Sequence, residues 1–129
     1  MRRTLLAGLI GSMLMAAAAC GGGGGGGGGG GSAQPAGSTK VTMTDYKFTP
    51  ADVKVKPGKV EFFLVNSGGV SHDMVVTSSD GKSVGRSELV QPGNTSVFTI
   101  DNLAAGTYQV VCDQPGHADL GMKGTVTAS

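Results

Sequence analysis

A chain of 129 residues has room for one domain of ordinary size and little else. Its formal charge is +1, but without the first 19 residues, which carry Arg2 and Arg3, eight basic side chains face nine acidic ones, a net of −1. No basic cluster survives in that remainder, so the electrostatic footprint of a nucleic-acid binder is absent and no nucleic-acid partner is expected.

Residues 1–19 read as an export signal. Arg2 and Arg3 form a charged start, residues 5–19 an apolar stretch, and Ala17, Ala18 and Ala19 a small-residue end. The apolar run is short for a bilayer span, which takes about 20 residues. Cys20 and Gly21 follow directly. This resembles a bacterial lipobox, in which the cysteine becomes the lipidated N-terminus of the mature protein, although Ala17 stands where a leucine is usual. Cys20 is therefore the expected lipidation site, with the alternative that it is only a leader residue. A double-acyl anchor would hold the protein stably at a membrane surface, on the periplasmic face or the cell surface.

Residues 20–38 form the tether. Eleven consecutive glycines, Gly21 to Gly31, run into Ser-Ala-Gln-Pro-Ala-Gly-Ser. No side chain here can build a core. As a flexible coil the segment would span about 21–25 Å on average, so an anchored domain could reorient near the membrane.

The globular domain is expected over residues 39–129. It has no helical period of any length. Short runs rich in valine, threonine and phenylalanine predict strands at residues 40–48, 52–56, 60–66, 73–77, 87–90, 95–100, 107–112 and 123–127. Pro57-Gly58, Gly68-Gly69, Asp80-Gly81, Pro92-Gly93 and the segment 101–106 break them. Alternation is clear in Asp-Val-Lys-Val-Lys at 52–56, and in 96–100, where Phe98 and Ile100 share a face. Regular short strands with Gly/Pro turns argue for an antiparallel sandwich or barrel. Phe48, Val53, Val55, Phe62, Leu64, Val75, Phe98, Ile100, Tyr108 and Val110 are the expected inner faces, with Met43 and Met74 as core filler.

The chemistry concentrates at 108–122. Cys112, His117 and Met122 follow one another at equal intervals, Cys-x4-His-x4-Met. The 107–111 run delivers the cysteine; Pro115-Gly116 bends the chain before the histidine, and Gly121 loosens it before the methionine. Thiolate, imidazole and thioether together suit copper better than other common metals. Such a site takes a second imidazole, and His72 is the other histidine in the sequence. Taken singly, each residue has a plain explanation: a core methionine, an inert buried thiol, a hydrogen-bonded histidine. Their joint spacing, turn chemistry and strand context are what favour His72, Cys112, His117 and Met122 as metal ligands. Zinc accepts cysteine and histidine, but thioether is a poor fourth ligand for it. Cys20 and Cys112 thus have separate explanations, and no disulfide between them is expected.

Here a resemblance can be named. Gly106-Thr107-Tyr108, Cys112, Pro115-Gly116-His117, Gly121-Met122 and Gly124-Thr125-Val126 resemble the C-terminal signature of the cupredoxins, with loop spacing similar to the auracyanin, rusticyanin and sulfocyanin group. Asn66 and His72 resemble the family's other ligand region. The resemblance implies an all-β Greek-key sandwich of about seven or eight strands, one type 1 copper, and a one-electron carrier rather than an enzyme. It gives His117 the role of electron port. Gly69, Val70, Pro115, Ala118 and Leu120 would then form an apolar rim for brief docking of membrane-associated redox partners to a monomer. One departure stands out: Asp73 occupies a position where the family often has an asparagine tying the two ligand loops together. An ionised aspartate accepts hydrogen bonds but cannot donate them, so a different and looser tie is expected. The alternative function is extracytoplasmic copper storage or delivery without electron-transfer duty. Against it stands the single thiolate site with no exposed Met/His-rich tract. Catalysis by copper would need further histidines or a second loop cysteine.

Overall fold

The computed structural model describes residues 31–129. The export signal, Cys20 and the glycine run up to Gly30 lie outside the described residues.

Nine strands follow one another: β1 Thr39–Thr44, β2 Lys47–Thr49, β3 Asp52–Val55, β4 Gly58–Asn66, β5 Val75–Thr77, β6 Ser83–Arg86, β7 Thr95–Leu103, β8 Gly106–Val111 and β9 Lys123–Ala128. They form two facing sheets, in the order β2-β1-β4-β7 and β3-β9-β8-β5-β6. The expected β-sandwich is present, with more detail than the sequence carried. Two pairs, β1 with β4 and β3 with β9, are parallel, so both sheets are mixed. The predicted 40–48 strand is two strands, because the chain reverses at Asp45 and Tyr46 between β1 and β2. Residues 87–90 are not a strand. Their pairing reduces to one bridge between Val90 and His72, and the neighbouring strand β6 lies just upstream.

Alternation decides which side chains meet between the sheets. On β1, Val41 and Met43 point inward; on β8, Tyr108 and Val110 do, and Cys112 continues their row. Phe62 of β4 and Phe98 of β7 are direct cross-strand partners and stack with centroids 5.7 Å apart. The inward residue of β5 is Val76, which continues the buried row of His72 and Met74 just before the strand, while Val75 is half-buried. The expected core thus stands, with Val76 in place of Val75 and with Val55 only partly covered.

Two registers carry function. The parallel pairing of β1 and β4 sets Met43 beside Asn66, so the residues following each strand emerge together at one end of the sandwich. The antiparallel pairing of β5 and β8 sets Val75 beside Val111, so His72 to Met74 approach Cys112 and Asp113 from the neighbouring strand at that same end.

Candidate metal centre

His72 sits in the connection from β4 to β5. Buried Asn66, the last residue of β4, shapes that connection. Its Nδ2 donates to the carbonyls of Val70 and Val90, each at 2.8 Å, and its Oδ1 accepts the Gly68 N–H at 2.9 Å. The His72 backbone is pinned to Val90 in both directions, N–H to O at 3.1 Å and O to N–H at 2.8 Å. The side chain has no solvent exposure.

The other donors come from the loop between β8 and β9. It closes through stacked turns: His117 N–H donates to Gln114 O, Leu120 N–H to Gly116 O and Gly121 N–H to Ala118 O. Gly116 and Gly121 take positive φ angles of 79° and 106°, a region that favours glycine and lets the loop reverse so tightly. Met122 N–H donates to His117 O at 3.0 Å, and Cys112 N–H donates to Met122 O at 3.1 Å. Backbone bonds thus tie the three loop residues to one another. Cys112 and Met122 are buried and His117 is half-buried.

The side chains converge. Nδ1 of His72 lies 3.2 Å from Nδ1 of His117, and Cys112 Sγ lies 3.4 Å from His117 Nδ1 and 3.9 Å from His72 Nδ1. Among the described residues, His72, Cys112 and His117 bring their donor atoms within 4.8 Å of one another. Metal–nitrogen and metal–sulfur bonds of about 2.0–2.3 Å, roughly 120° apart, separate donors by about 3.5–3.8 Å. The observed triangle straddles that value, so one ion fits between the three atoms. Two imidazoles and one thiolate in a trigonal set, with a methionine on the same loop, are the donors of type 1 copper. Burial pushes the Cys112 thiol above its ordinary pKa, while the backbone N–H groups of Asp73 and Gln114 act on it in the opposite direction.

Residues 7–128 match the family described as Cupredoxin-like domain. The chain belongs to that family. Among curated proteins, this cupredoxin is similar to the methylamine utilization protein MauL of Methylophilus methylotrophus, 30% identical over 81 residues. Those residues are 63% of this chain and 45% of the relative, so the chain spans about half the length of the curated relative it matches. Among solved structures, the reduced auracyanin of Roseiflexus castenholzii aligns with a TM-score of 0.65 at 17% identity, over 74% of this chain and 99% of that one. Auracyanin A of Chloroflexus aurantiacus gives 0.61 at 20% identity, over 72% and 100%. An azurin of Methylomonas sp. strain J gives 0.63 at 16% identity, over 74% and 99%. At such identities these likenesses speak for the fold, and the fold is that of the blue copper neighbours. Family and donor set together make the cofactor of this cupredoxin a type 1 copper.

The structure also places residues that the sequence reading passed over or misjudged. Asp73 ties the two ligand loops together in a different way, as an acceptor. Asp73 Oδ1 accepts the Asp113 N–H at 2.7 Å, so an acceptor alone suffices where the donor is backbone. Arg86 supplies the compensating charge, donating to Asp73 Oδ2 at 3.1 Å and to the Asp113 carboxylate. Arg86 is the one arginine of residues 31–129, and that was the signal available. Tyr46 lays its ring edge-on against His117, with centroids 4.7 Å apart, and lies 6.3 Å from the His72 ring. Nothing in the sequence pointed to Tyr46, because 26 residues separate it from His72 and the two meet only through the β1–β4 register. Val70 and Leu120 of the expected rim are exposed, Leu120 at 62%.

Proposed function

We propose that this cupredoxin is a type 1 blue copper protein that carries single electrons. In this reading Nδ1 of His72, Nδ1 of His117 and Sγ of Cys112 would hold the copper, and the thioether of buried Met122, on the same loop, would be a further weak donor. The observation that carries the reading is the convergence of two Nδ1 atoms and one Sγ on a single buried point. The likeness to auracyanin A, itself a "blue" copper protein, supports it. Bound copper supplies a one-electron couple between Cu(I) and Cu(II).

The protein holds the donors still. His72 is fixed by its two-way bridge to Val90, and Cys112 by its bond to Met122. Ligands fixed this firmly rearrange little when the charge between them changes, which keeps electron transfer fast. Burial of His72, Cys112 and Met122 keeps water away, while half-buried His117 is the route to the surface. Exposed Val70 and Leu120, with Pro115, give a small apolar rim for weak, brief docking of redox partners. Export through residues 1–19, lipidation of Cys20 and membrane tethering of a monomer complete the proposal. Storage or delivery is the poorer reading, because two of the three converging donors, His72 and Cys112, are buried and no exposed Met/His-rich tract accompanies them among the described residues.

The visible and EPR spectra of the copper-loaded protein test it. An intense thiolate-to-copper band is expected, and Cys112→Ser should abolish it while leaving a folded sandwich. A colourless copper complex of the wild-type protein would refute the assignment.

A further inference from the structure

The β1–β2 turn reaches the far side of His72. Asp45 Oδ1 lies 2.8 Å from His72 Nε2, the ring nitrogen that points away from Cys112 and His117. The carboxylate is itself held. Its other oxygen, Oδ2, accepts the Gly69 N–H at 2.8 Å. Gly68 makes room for the arrangement: an added Cβ there would lie 3.0 Å from Asp45 Cγ, 3.0 Å from His72 Nε2, and closer still to Oδ1. The parallel register of β1 and β4 puts Asp45 and Gly68 two residues beyond the paired Met43 and Asn66. Strand pairing, a bare glycine and a backbone N–H thus aim one carboxylate at one imidazole.

We propose that Asp45 is a positioning residue of the copper centre, selecting the His72 tautomer that presents a free Nδ1 and lowering the reduction potential through its charge. The inference rests on the copper reading of the site. A carboxylate only accepts hydrogen bonds, so the hydrogen of a neutral His72 belongs on Nε2. The opposite tautomer would set two lone pairs against each other at 2.8 Å and direct an N–H toward the donor triangle. A carboxylate on the outer nitrogen of a ligating histidine fixes ring orientation and makes the imidazole a stronger donor. A stronger donor and a nearby negative charge both favour Cu(II), the more highly charged state. Asp73 does not duplicate the role, because its charge is met by Arg86, whereas among the described residues no cation is paired with Asp45 apart from what His72 can offer.

The test compares wild type with Asp45→Asn, Asp45→Ala and, as a charge control, Asp101→Asn, all as the full chain. Asp101 lies toward the end of β7 that pairs with Gly58, away from the site. Asparagine keeps the shape and removes the charge. Asp45→Asn should keep the blue band and shift the Cu(II)/Cu(I) equilibrium about tenfold toward Cu(I), a rise of about 59 mV by voltammetry. Asp45→Ala should shift it at least as far and weaken copper retention about 10- to 100-fold. Asp101→Asn should leave the potential where it was. In the copper-free wild-type protein, nitrogen NMR of the imidazoles should place the His72 hydrogen on Nε2. A hydrogen on Nδ1 there, or a blue Asp45→Asn protein with the wild-type potential, overturns the inference and leaves the copper reading standing. A wild-type protein with no blue band refutes the copper reading, and the inference with it.

Discussion

Replacing Asn66 with alanine tests whether the His72 loop is held as the structure implies. The side chain is 1% exposed and makes three hydrogen bonds, to Val70 O, to Val90 O and from Gly68 N–H. A buried intramolecular hydrogen bond is worth about 1 kcal/mol, and a buried group left without a partner costs about 1–3 kcal/mol. The loss is not fully additive, because Val90 O keeps the His72 N–H. Asn66→Ala should therefore destabilise the copper-free protein by about 2–4 kcal/mol. That is a large part of an ordinary domain's stability, yet small enough to leave a folded population. Urea unfolding of copper-free wild type and variant measures it, with an unchanged slope showing that the folded and unfolded states are comparable. Asn66→Asp separates the donors from the packing. It keeps an acceptor for Gly68 N–H but turns a carboxylate toward two carbonyls, so it should cost at least as much as alanine. The reasoning fails if Asn66→Ala costs under about 1 kcal/mol, or if aspartate is the milder change.

Three further outcomes are expected. Met122→Leu should raise the reduction potential, and Met122→Gln, a harder oxygen donor that favours Cu(II), should lower it, each by an amount comparable to the roughly 59 mV of a tenfold change; voltammetry of the still-coloured variants reads this, and unchanged potentials would make Met122 mere core filler. Arg86→Met should lower the urea midpoint measurably, since the nearly buried Asp73 carboxylate loses its cation but keeps the Asp113 N–H. Arg86→Met combined with Asp73→Asn should recover part of that loss, and no recovery would mean that the pair is not energetically coupled. Cys20→Ser should move the protein from the membrane fraction to the soluble fraction on cell fractionation; an unlipidated, soluble wild type would reduce Cys20 to a leader residue.

The chain by itself determined the class of fold and pointed to the proposed donors. Valine-rich alternation broken by Gly and Pro leaves little choice but strands, because period 2 is a local property of the backbone. Cys112, His117 and Met122 lie within eleven residues, so their approach is also local and the turn residues between them announce it. His72 was legible for a different reason: it is the other histidine in the sequence, and the chemistry asks for two. What only the tertiary structure decided is everything that depends on register. A slip of one residue reverses the faces of a strand, and on β5 the inward residue proved to be Val76 rather than Val75, in phase with buried Met74 just before it. The split of residues 40–48 into β1 and β2 places Asp45 and Tyr46 at a tip, and parallel pairing of β1 with β4 carries that tip to His72. No local pattern encodes a contact between strands that far apart in the chain. Arg86 reaches Asp73 and Asp113 in the same way, from the strand hydrogen-bonded beside β5. The metal donors are specified by residue type and short spacing, which a sequence displays. Their supports are specified by strand register, which exists only once the two sheets have closed.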